Sequence, residues 1–324
     1  MRAIHVTGYG DADRLELIED DDVPEPGAGE VRIRVDAAGV NFADTLMRQG
    51  LYPGAASPPF VPGMEVAGEI DAVGDGVDRD EGERVAALID DGGYAEYALA
   101  PAAALIDLPA GMNDEEAGGF PLQYLTAWGV LHDRADVEEG ERVLIHAAAG
   151  GVGTAAVQLA REAGCEVYGT ASTDEKLALA EDLGCDHPIN YEEEDFADRI
   201  DELTDGEGVD VVLDGVGGDV FDDSMDCLAH FGRLVTIGVA SGGIPSADAS
   251  RLLVNNQSVL GFHLGNALAR RPDRVLQGVP PLREMLASDR IEVQVGETHP
   301  LQNADEAHRR LENRETSGKV VLLP

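Results

Sequence analysis

A glycine-rich turn carries the clearest chemical signal in this sequence. Residues 145–153 read Ile-His-Ala-Ala-Ala-Gly-Gly-Val-Gly, after an apolar run and before a helical pattern. Glycines let the backbone turn tightly and approach a pyrophosphate, and the free N–H groups of a helix N-terminus favour negative charge. The first glycine of the G-x-G-x-x-G pattern is replaced by Ala148, so a purely structural turn stays an alternative. The candidate dinucleotide contacts are Gly150, Gly151, Val152 and Gly153.

The end of the next apolar run indicates which dinucleotide would bind. An NAD site normally places a carboxylate there for the adenosine ribose, but this chain reads Gly-Thr-Ala-Ser-Thr-Asp-Glu-Lys over residues 169–176. Ser172 as a donor and Lys176 as a cation suit a 2′-phosphate, which favours NADPH. The alternative is that Lys176 is a helix-face cation paired with an acid, since Asp174 and Glu175 dilute its field.

The elements around these residues alternate between strand and helix. Apolar runs begin at residues 143, 167, 188, 209, 234 and 258, and helical patterns follow most of them. Short apolar strands joined by helical crossovers predict a doubly wound parallel sheet of six strands, covered on both faces. The turn and Ser172 then follow the first and second strands, where such sheets bind ligands.

The N-terminal part has a different pattern. From Glu30 to about Ala100 short alternating runs lie between Gly and Asp turns, which indicates a small, partly closed β-barrel. A helical pattern covers Glu115 to Leu131, and a last strand at residues 318–323 is expected to rejoin the barrel. The predicted domains are residues 1–121 for the first part of the barrel domain, 122–265 for the nucleotide domain and 266–324 for the return.

Charge limits the partners of this chain. It has 324 residues with 23 Lys+Arg against 63 Asp+Glu, a net charge of −40 that repels nucleic acid and anionic membranes. Only Lys176 and Lys319 are lysine, which leaves 21 arginines, and the acids are spread along the chain. Molar salt shortens the Debye length to about 3 Å, so a dispersed acidic surface of this kind is typical of a salt-rich cytoplasm. We expect unfolding at low salt.

Location and redox state follow from absences in the sequence. No apolar run approaches the roughly 18 residues of a membrane span, and residues 1–6 lack a signal-peptide core, so a cytoplasmic protein is expected. The three cysteines, Cys165, Cys185 and Cys227, support neither a disulfide framework nor a cysteine-rich zinc lobe, and we interpret them as small buried hydrophobic residues.

Five segments together resemble a known family. They read AAGVNFAD at 37–44, VPGMEVAG at 61–68, AAAGGVG at 147–153, DGVGG at 214–218 and GKVVL at 318–322. Over essentially the whole chain the sequence resembles the zinc-independent medium-chain dehydrogenases/reductases, in particular the NADPH:quinone oxidoreductases related to zeta-crystallin. The resemblance implies an α/β fold with a six-stranded Rossmann sheet and a GroES-like, partly closed β-barrel.

The resemblance also implies that catalytic zinc is absent. Zinc alcohol dehydrogenases of the superfamily carry a metal-binding Cys where this chain has Asn41, and Gly-His-Glu where it has Gly63-Met64-Glu65. Amide and thioether groups are poor zinc ligands compared with thiolate and imidazole. The structural zinc lobe is missing as well, since no cysteine lies between Glu81 and Ala117. No metal is expected.

The resemblance also implies further cofactor contacts, each at the position of this sequence that matches the family. Asn41 and Tyr52 match family positions near the nicotinamide, and Arg314 matches an arginine that reaches the cofactor. Tyr52 is the side chain expected to face the acceptor and to donate to developing oxyanion charge. The alternatives are a turn residue for Asn41, partly buried surface aromatics for Tyr52 and Tyr191, and a helix-end cation for Arg314. The family positions around the 2′-phosphate are Ser172, Lys176 and Tyr191, and the predicted cofactor contacts also include Gly238 and Phe262.

The function implied is hydride transfer from NADPH to a quinone. Such a reaction needs the nicotinamide held against an electrophile in a water-poor site, with no fixed acid-base pair. His146 and His263 are accordingly interpreted as hydrogen-bonded structural residues. Two alternatives stay open: reduction of conjugated enones or acrylyl and enoyl thioesters, and an NADPH-binding regulatory or structural protein with negligible turnover.

The sixth strand bears on assembly. Around Ser258 to Leu264 it would be an exposed sheet edge unless paired, and it resembles the element that joins two subunits in this superfamily. A homodimer through this strand is therefore expected.

Overall fold

A computed structural model describes all 324 residues, and packing divides them into two units. Unit 1 comprises residues 1–123 and 283–324, and unit 2 comprises residues 124–282. The domain limits inferred from the sequence stay a prediction. None of the helices is both long and apolar enough to cross a membrane.

Unit 1 is built on an eleven-residue strand, β3, that three other strands join. β3 (Glu30–Val40) pairs antiparallel with β4 (Glu65–Val73), β6 (Tyr97–Pro101) and the last strand, β15 (Lys319–Leu323). The C-terminal strand thus returns to the N-terminal barrel, as its sequence predicts. Further strands are β1 (Ala3–Val6), β2 (Leu15–Ile18), β5 (Arg84–Leu88), β7 (Leu105–Asp107) and β14 (Val295–Pro300).

Three helices accompany these strands. α1 (Phe42–Gln49) begins at the end of β3, where the Asp44 carboxylate accepts from the Asn41 N–H, and ends at Gly50 in the left-handed conformation. α2 (Asp114–Gly119) and α12 (Ala304–Glu312) complete the unit. The apolar core beneath them includes Ile33, Val66, Leu301 and Leu322, all buried.

Unit 2 is a parallel sheet of six strands. The order is β10-β9-β8-β11-β12-β13, and every neighbouring pair is parallel. The predicted fold class, a doubly wound Rossmann sheet with a GroES-like barrel domain, is confirmed. The strands are β8 (Arg142–Ile145), β9 (Glu166–Ala171), β10 (His187–Asn190), β11 (Val209–Asp214), β12 (Leu228–Thr236) and β13 (Ser258–Gly261).

The crossovers of unit 2 are helical, as predicted. They are α4 (Gly151–Glu162), α5 (Asp174–Asp182), α6 (Phe196–Leu203), α7 (Asp219–Asp226) and α8 (Ala249–Asn255), and α9 (Leu264–Arg270) and α10 (Pro272–Leu276) follow β13. α11 (Val279–Ala287) leads back to unit 1. β13 has only β12 as a neighbour and is therefore an edge strand within the chain.

One predicted helix is wrong in its length. The pattern from Glu115 to Leu131 reads as a single helix, but the structure has α2, then α3 (Pro121–Trp128), then a π-helical turn over Gly129–Ala135. Pro121 has no N–H to continue α2 and starts the next helix instead. The apolar spacing that suggested one helix continues across this break.

Candidate functional site

The carboxyl edge of the unit 2 sheet gathers the predicted dinucleotide contacts of that unit. Carboxyl ends of parallel strands lie at one edge, and open α/β sheets bind ligands there. The glycine-rich turn follows β8, Ser172 follows β9, and Tyr191 follows β10. Gly238 lies two residues after β12, and Phe262 directly follows β13. Residues separated by more than 100 positions in sequence thus share this edge of the sheet.

The glycine-rich turn ends at a helix N-terminus whose backbone donors are uncapped. Gly150 is the N-cap residue of α4, and no side chain accepts from the first turn of this 12-residue helix. Gly153 is required by packing, because a Cβ there would lie 2.1 Å from the Ala147 carbonyl oxygen. Uncapped N–H groups at the positive end of a helix dipole form an anion site. The turn therefore has the chemistry that a pyrophosphate needs.

The second and third strands bring the predicted 2′-phosphate residues near one another. Ala171 and Asn190 are paired across β9 and β10, and the Tyr191 N–H donates to the Ala171 carbonyl at 3.2 Å. Ser172 and Tyr191 thus leave the sheet from adjacent positions. Lys176 lies in the first turn of α5, whose N-cap is Thr173. Ser172 and Lys176 are half-buried, and Tyr191 is 36% exposed.

The loops after β11 and β12 pack against each other. Asp214 is buried and its carboxylate accepts from the backbone N–H groups of Val216 and Gly217, at 2.7 and 3.0 Å. Burial raises the pKa of Asp214, and these two N–H groups oppose the shift. A Cβ on Gly238 would lie 3.1 Å from the Gly215 carbonyl oxygen. Gly238 is accordingly held against the Asp214 loop.

Phe262 occupies a different environment from the glycines. It is buried, and a Cβ on Gly129 would lie 2.2 Å from the tip of its ring. Its ring therefore packs on the π-helical turn of unit 2, while its N–H donates to the Thr236 carbonyl at 3.0 Å. Phe262 fixes the end of β13 by packing, and its role as a cofactor contact stays a prediction.

In unit 1 the carboxamide of Asn41 is held by two charged side chains. Asn41 is 8% exposed, its Nδ2 donates to Glu65 Oε1 at 2.9 Å, and its Oδ1 accepts from Lys319 Nζ at 2.6 Å. Lys319 Nζ also pairs with Glu65 Oε1, whose carboxylate is completely buried. A buried charge pair of this kind persists only because each polar atom has a partner.

A second set of buried polar groups holds the Asn41 backbone. Asp44 Oδ2 accepts from the Asn41 N–H at 2.8 Å and from the Tyr94 hydroxyl at 3.1 Å. Tyr94 Oη also lies 3.1 Å from His308 Nε2. Burial raises the pKa of Asp44 to about 7, against the lowering effects of the Asn41 N–H, Lys319 and Tyr94. Burial and the nearby Arg48 lower the pKa of His308 to about 3.

Tyr52 and Arg314 lie elsewhere in unit 1. Tyr52 follows α1 by three residues, is half-buried, and packs against the barrel core. Burial raises the pKa of Tyr52, and the carboxylates of Asp44 and Asp90 act in the same direction, so the phenol keeps its proton at neutral pH. Arg314 follows α12 at a positive φ of 60° and is exposed.

The two singled-out histidines have structural partners. His146 is buried and its ring nitrogens lie 3.0 Å from Thr170 Oγ1 and 2.7 Å from Ser224 Oγ. Burial lowers the pKa of His146 to about 3. His263 is the N-cap of α9 and accepts from the Asn266 N–H at 3.1 Å. The three cysteines are buried and free, with no disulfide.

The residues of unit 1 do not fit a zinc ion. Asn41 stands where the family's zinc enzymes carry a metal-binding Cys, and its Oδ1 accepts from the Lys319 ammonium, which also pairs with Glu65 Oε1. Met64 packs against the barrel core. No group of three or more His, Cys, Asp or Glu side chains in the chain could hold a metal. An ammonium and a thioether are not a zinc ligand set.

Sequence reasoning missed Lys319 and Asp44 as partners of Asn41, and Tyr94 and His308 as the polar groups that continue from Asp44. Lys319 carried a usable signal, because the scarcity of lysine that distinguished Lys176 applies to it equally. The other three carried none, since tyrosine, histidine and aspartate are ordinary at those positions. Their association depends on α1, α12 and the segment before β6 meeting in the fold.

Comparisons with known proteins agree with this architecture. The family description "Alcohol dehydrogenase GroES-like domain" matches residues 27–110, and "Zinc-binding dehydrogenase" matches residues 151–278. A quinone oxidoreductase of Pseudomonas aeruginosa is 37% identical, over 100% of this chain and 99% of that protein. A 2-haloacrylate reductase of a Burkholderia species is 39% identical over 93% of each chain.

A solved structure is similar along its whole length. The Escherichia coli quinone oxidoreductase, crystallised in complex with NADPH, is 33% identical and has a TM-score of 0.94. The match covers 100% of this chain and 100% of that chain. Similarity of this extent, in both sequence and structure, includes both units.

Proposed function

The chain belongs to the medium-chain dehydrogenase/reductase family, and from that premise we propose that it is an NADPH-dependent, zinc-independent reductase of quinones. The observation that carries the proposal is the carboxyl edge of the unit 2 sheet. There an uncapped helix N-terminus after β8 lies beside a second strand, β9, that is followed by Ser172 and not by a carboxylate. NADPH, when bound, supplies the hydride.

Phosphate recognition is assigned to backbone and side-chain donors of unit 2. The uncapped N–H groups of α4 would donate to the pyrophosphate oxygens, since Gly150 and Gly151 place no side chain over them. Ser172 and Lys176 would hold the 2′-phosphate, and Tyr191 would pack beside the adenine. Asp174 and Glu175 are exposed in the first turn of α5, where their negative charges interact favourably with the helix dipole. The same charges oppose a bound 2′-phosphate and so reduce the preference for NADPH over NADH.

Acceptor reduction is assigned to unit 1. Asn41 would accept from the nicotinamide ribose or carboxamide, and Arg314 would lend charge to a cofactor phosphate. Tyr52 keeps its phenolic proton and can donate to the oxygen that gains charge during hydride transfer. A quinone is the acceptor named for the Pseudomonas and Escherichia relatives.

A second acceptor class is favoured by one relative. The Burkholderia enzyme is named for the reduction of 2-haloacrylate, a carboxylate with a conjugated carbon–carbon double bond. The same hydride geometry serves a quinone and a conjugated enone or acrylyl thioester. A coenzyme A thioester would meet the repulsion of a chain with a net charge of −40, which favours the quinone.

Assembly and environment complete the proposal. We infer a homodimer that pairs two copies through the free side of β13, because an unpaired edge strand is a template for pairing.

We also infer a cytoplasmic protein of a halophilic archaeon, from its excess of acid and its two lysines. A monomeric mass by light scattering in molar KCl, or full stability at low salt, would contradict these inferences.

The deciding experiment compares cofactors and acceptors in molar KCl. NADPH and NADH oxidation are measured with 1,4-benzoquinone and with an acrylyl thioester, for the wild type, Lys176→Met and Arg199→Met. Arg199 is a matched control, a half-buried cation on α6 that pairs with Glu202. Lys176→Met should lose roughly tenfold in NADPH affinity and keep its NADH affinity, because a charged phosphate contact is removed. Equal losses in both variants would contradict the assignment of Lys176.

Tyr52→Phe tests the acceptor side separately. It should lower kcat with benzoquinone by about tenfold, the effect of one lost donor to developing charge, and leave the NADPH dissociation constant unchanged. Unchanged kinetics in this variant would remove Tyr52 from the acceptor site.

A further inference from the structure

Lys319 is the second of only two lysines in the chain and is almost completely buried. It is 3% exposed and begins β15, where the pairing of Val320 with Val40 brings it beside Asn41 at the end of β3. Glu65 begins β4, which pairs with the other side of β3. Three strand ends thus converge on one ammonium, although Lys319 lies 278 residues from Asn41 in sequence.

The chemistry of its two neighbours fixes the orientation of the Asn41 carboxamide. An ammonium can only donate and a carboxylate can only accept. Asn41 Oδ1 must therefore face Lys319, and Nδ2 must face Glu65, as the distances of 2.6 and 2.9 Å show. The second Nδ2 hydrogen is directed to the Gly39 carbonyl at 3.4 Å. The amide has no donor left, so Oδ1 is the only atom through which it can hydrogen-bond a ligand.

The surroundings accommodate this arrangement and little else. A Cβ on Gly39 would lie 2.5 Å from Glu65 Oε1, and a Cβ on Gly119 would lie 2.9 Å from the Lys319 side chain. Glu65 Oε2 accepts from the Leu122 N–H at 2.8 Å, so the carboxylate is held from its other side. A compact ammonium suits this space.

We propose that Lys319 is a positioning residue, which turns Asn41 into a hydrogen-bond acceptor for the bound dinucleotide. The inference rests on the proposed function, because it gives Asn41 a contact with the cofactor. Asn41 then selects a ligand group that donates, a ribose hydroxyl or the nicotinamide carboxamide N–H. Glu65 holds the ammonium in place and accepts from the Asn41 amide.

A paired substitution separates positioning from folding. Lys319→Met alone leaves Glu65 buried without a cation and should lower the unfolding midpoint strongly. The double variant Lys319→Met with Glu65→Gln removes both charges, so its midpoint should recover most of the loss. Its Asn41 amide is no longer fixed, and the NADPH dissociation constant, measured by fluorescence titration in molar KCl, should rise about tenfold, as for one hydrogen bond lost.

The matched control is Arg310→Met with Glu297→Gln. This pair lies in the same unit, joins α12 to β14 and is partly exposed. It should leave NADPH affinity unchanged. A Lys319 and Glu65 double variant with both wild-type stability and wild-type NADPH affinity would overturn the positioning role alone. A wild-type protein that neither binds nor oxidises NADPH would overturn the proposed function and, with it, this inference.

Discussion

The two units of this protein prepare their candidate sites by different physical means. Unit 2 offers backbone groups: a glycine turn, an uncapped helix end and the carboxyl edge of a parallel sheet. Unit 1 offers side chains, with Asn41 enclosed by Glu65, Lys319 and Asp44, all buried. The backbone site requires a ligand to approach the main chain closely, so it is sensitive to added side-chain volume. The side-chain site depends on charge balance, so it is sensitive to pH and to lost partners.

The difference between the units also determines which substitutions are informative. In unit 2 a Cβ added at Gly153 obstructs backbone atoms that cannot move independently. In unit 1 a substitution removes one member of a set whose other members stay buried and polar. Three substitutions of decreasing expected effect test this contrast. All are measured in molar KCl, because a chain with a net charge of −40 repels itself at low salt.

The largest effect is expected from volume added to the turn of unit 2. Gly153→Ala places a Cβ 2.1 Å from the Ala147 carbonyl oxygen and 2.8 Å from Ala148 backbone atoms. We expect a loss of more than about 3 kcal/mol in the free energy of unfolding, measured by denaturant titration, because backbone must shift. NADPH binding should be lost with it.

Gly150→Ala is the control within the same turn. Its φ of −82° suits any residue, and the nearest atom to an added Cβ is the Ala147 oxygen at 3.2 Å. Its stability should change by less than about 1 kcal/mol, while NADPH affinity falls because a methyl group covers the approach to the backbone donors. A Gly153→Ala protein as stable as Gly150→Ala would contradict the steric account.

The next effect concerns the buried carboxyl group of unit 1. The pKa of Asp44 is about 7 in the folded protein against an ordinary 3.8, so folding favours its protonated form. This stabilisation is complete below pH 4 and is lost as pH rises towards 7. Asp44→Asn does not titrate, so its stability relative to the wild type should increase by roughly 2–3 kcal/mol between pH 5 and pH 8.

Asp305→Asn serves as the control for this measurement. Asp305 is on α12 in the same unit, half-buried and paired with Arg309. The stability difference between that variant and the wild type should change far less over the same pH range. If the stability difference between Asp44→Asn and the wild type were also constant with pH, the Asp44 carboxyl group would not govern the pH dependence of stability in unit 1.

The smallest of these effects belongs to the buried histidine of unit 2. The pKa of His146 is lowered to about 3, so the folded protein favours the neutral ring, and this stabilisation is complete above pH 6.5. It is lost as pH falls, by about 2 kcal/mol at pH 5. His146→Gln should therefore lose less stability than the wild type between pH 7.5 and pH 5. Parallel curves for the two proteins would show that the ring does not couple to folding.

Burial lowers the pKa of His146, and the hydrogen bonds of its ring oppose a second proton as well. Ser224 donates its own hydroxyl hydrogen to the Val220 carbonyl at 2.5 Å, so it accepts from His146 Nε2–H. Nδ1 then accepts from the Thr170 hydroxyl. A second proton on the ring would reverse that last bond inside an apolar region next to Phe196.

Much of unit 2 could be predicted because its signals are local. The apolar runs from residue 143 to 262 and the helical patterns between them follow from periodicity within single elements, and the six parallel strands are found where those runs occur. The helix from Glu115 to Leu131 was the exception. Its apolar spacing is regular, but Pro121 interrupts the backbone hydrogen bonding, which spacing does not record.

The site in unit 1 could be predicted only in part. Asn41 and Tyr52 were found through a family resemblance, and the structure places them on either side of α1. The partners of Asn41 come from three separate strands and helices, and no local pattern links them. Lysine scarcity pointed equally to Lys176 and Lys319, but only the pairing of β15 with β3 reveals what Lys319 contacts.

The sequence by itself determined the order of strands and helices, the glycine turn that opens α4, and an acidic surface that excludes polyanions. These depend on residue type and short spacing, which act within one element or over the whole surface. Tertiary structure alone decided which polar groups are buried together. The Lys319, Glu65 and Asn41 cluster exists because antiparallel register brings distant strand ends within hydrogen-bond distance, and burial then makes each partner necessary to the others.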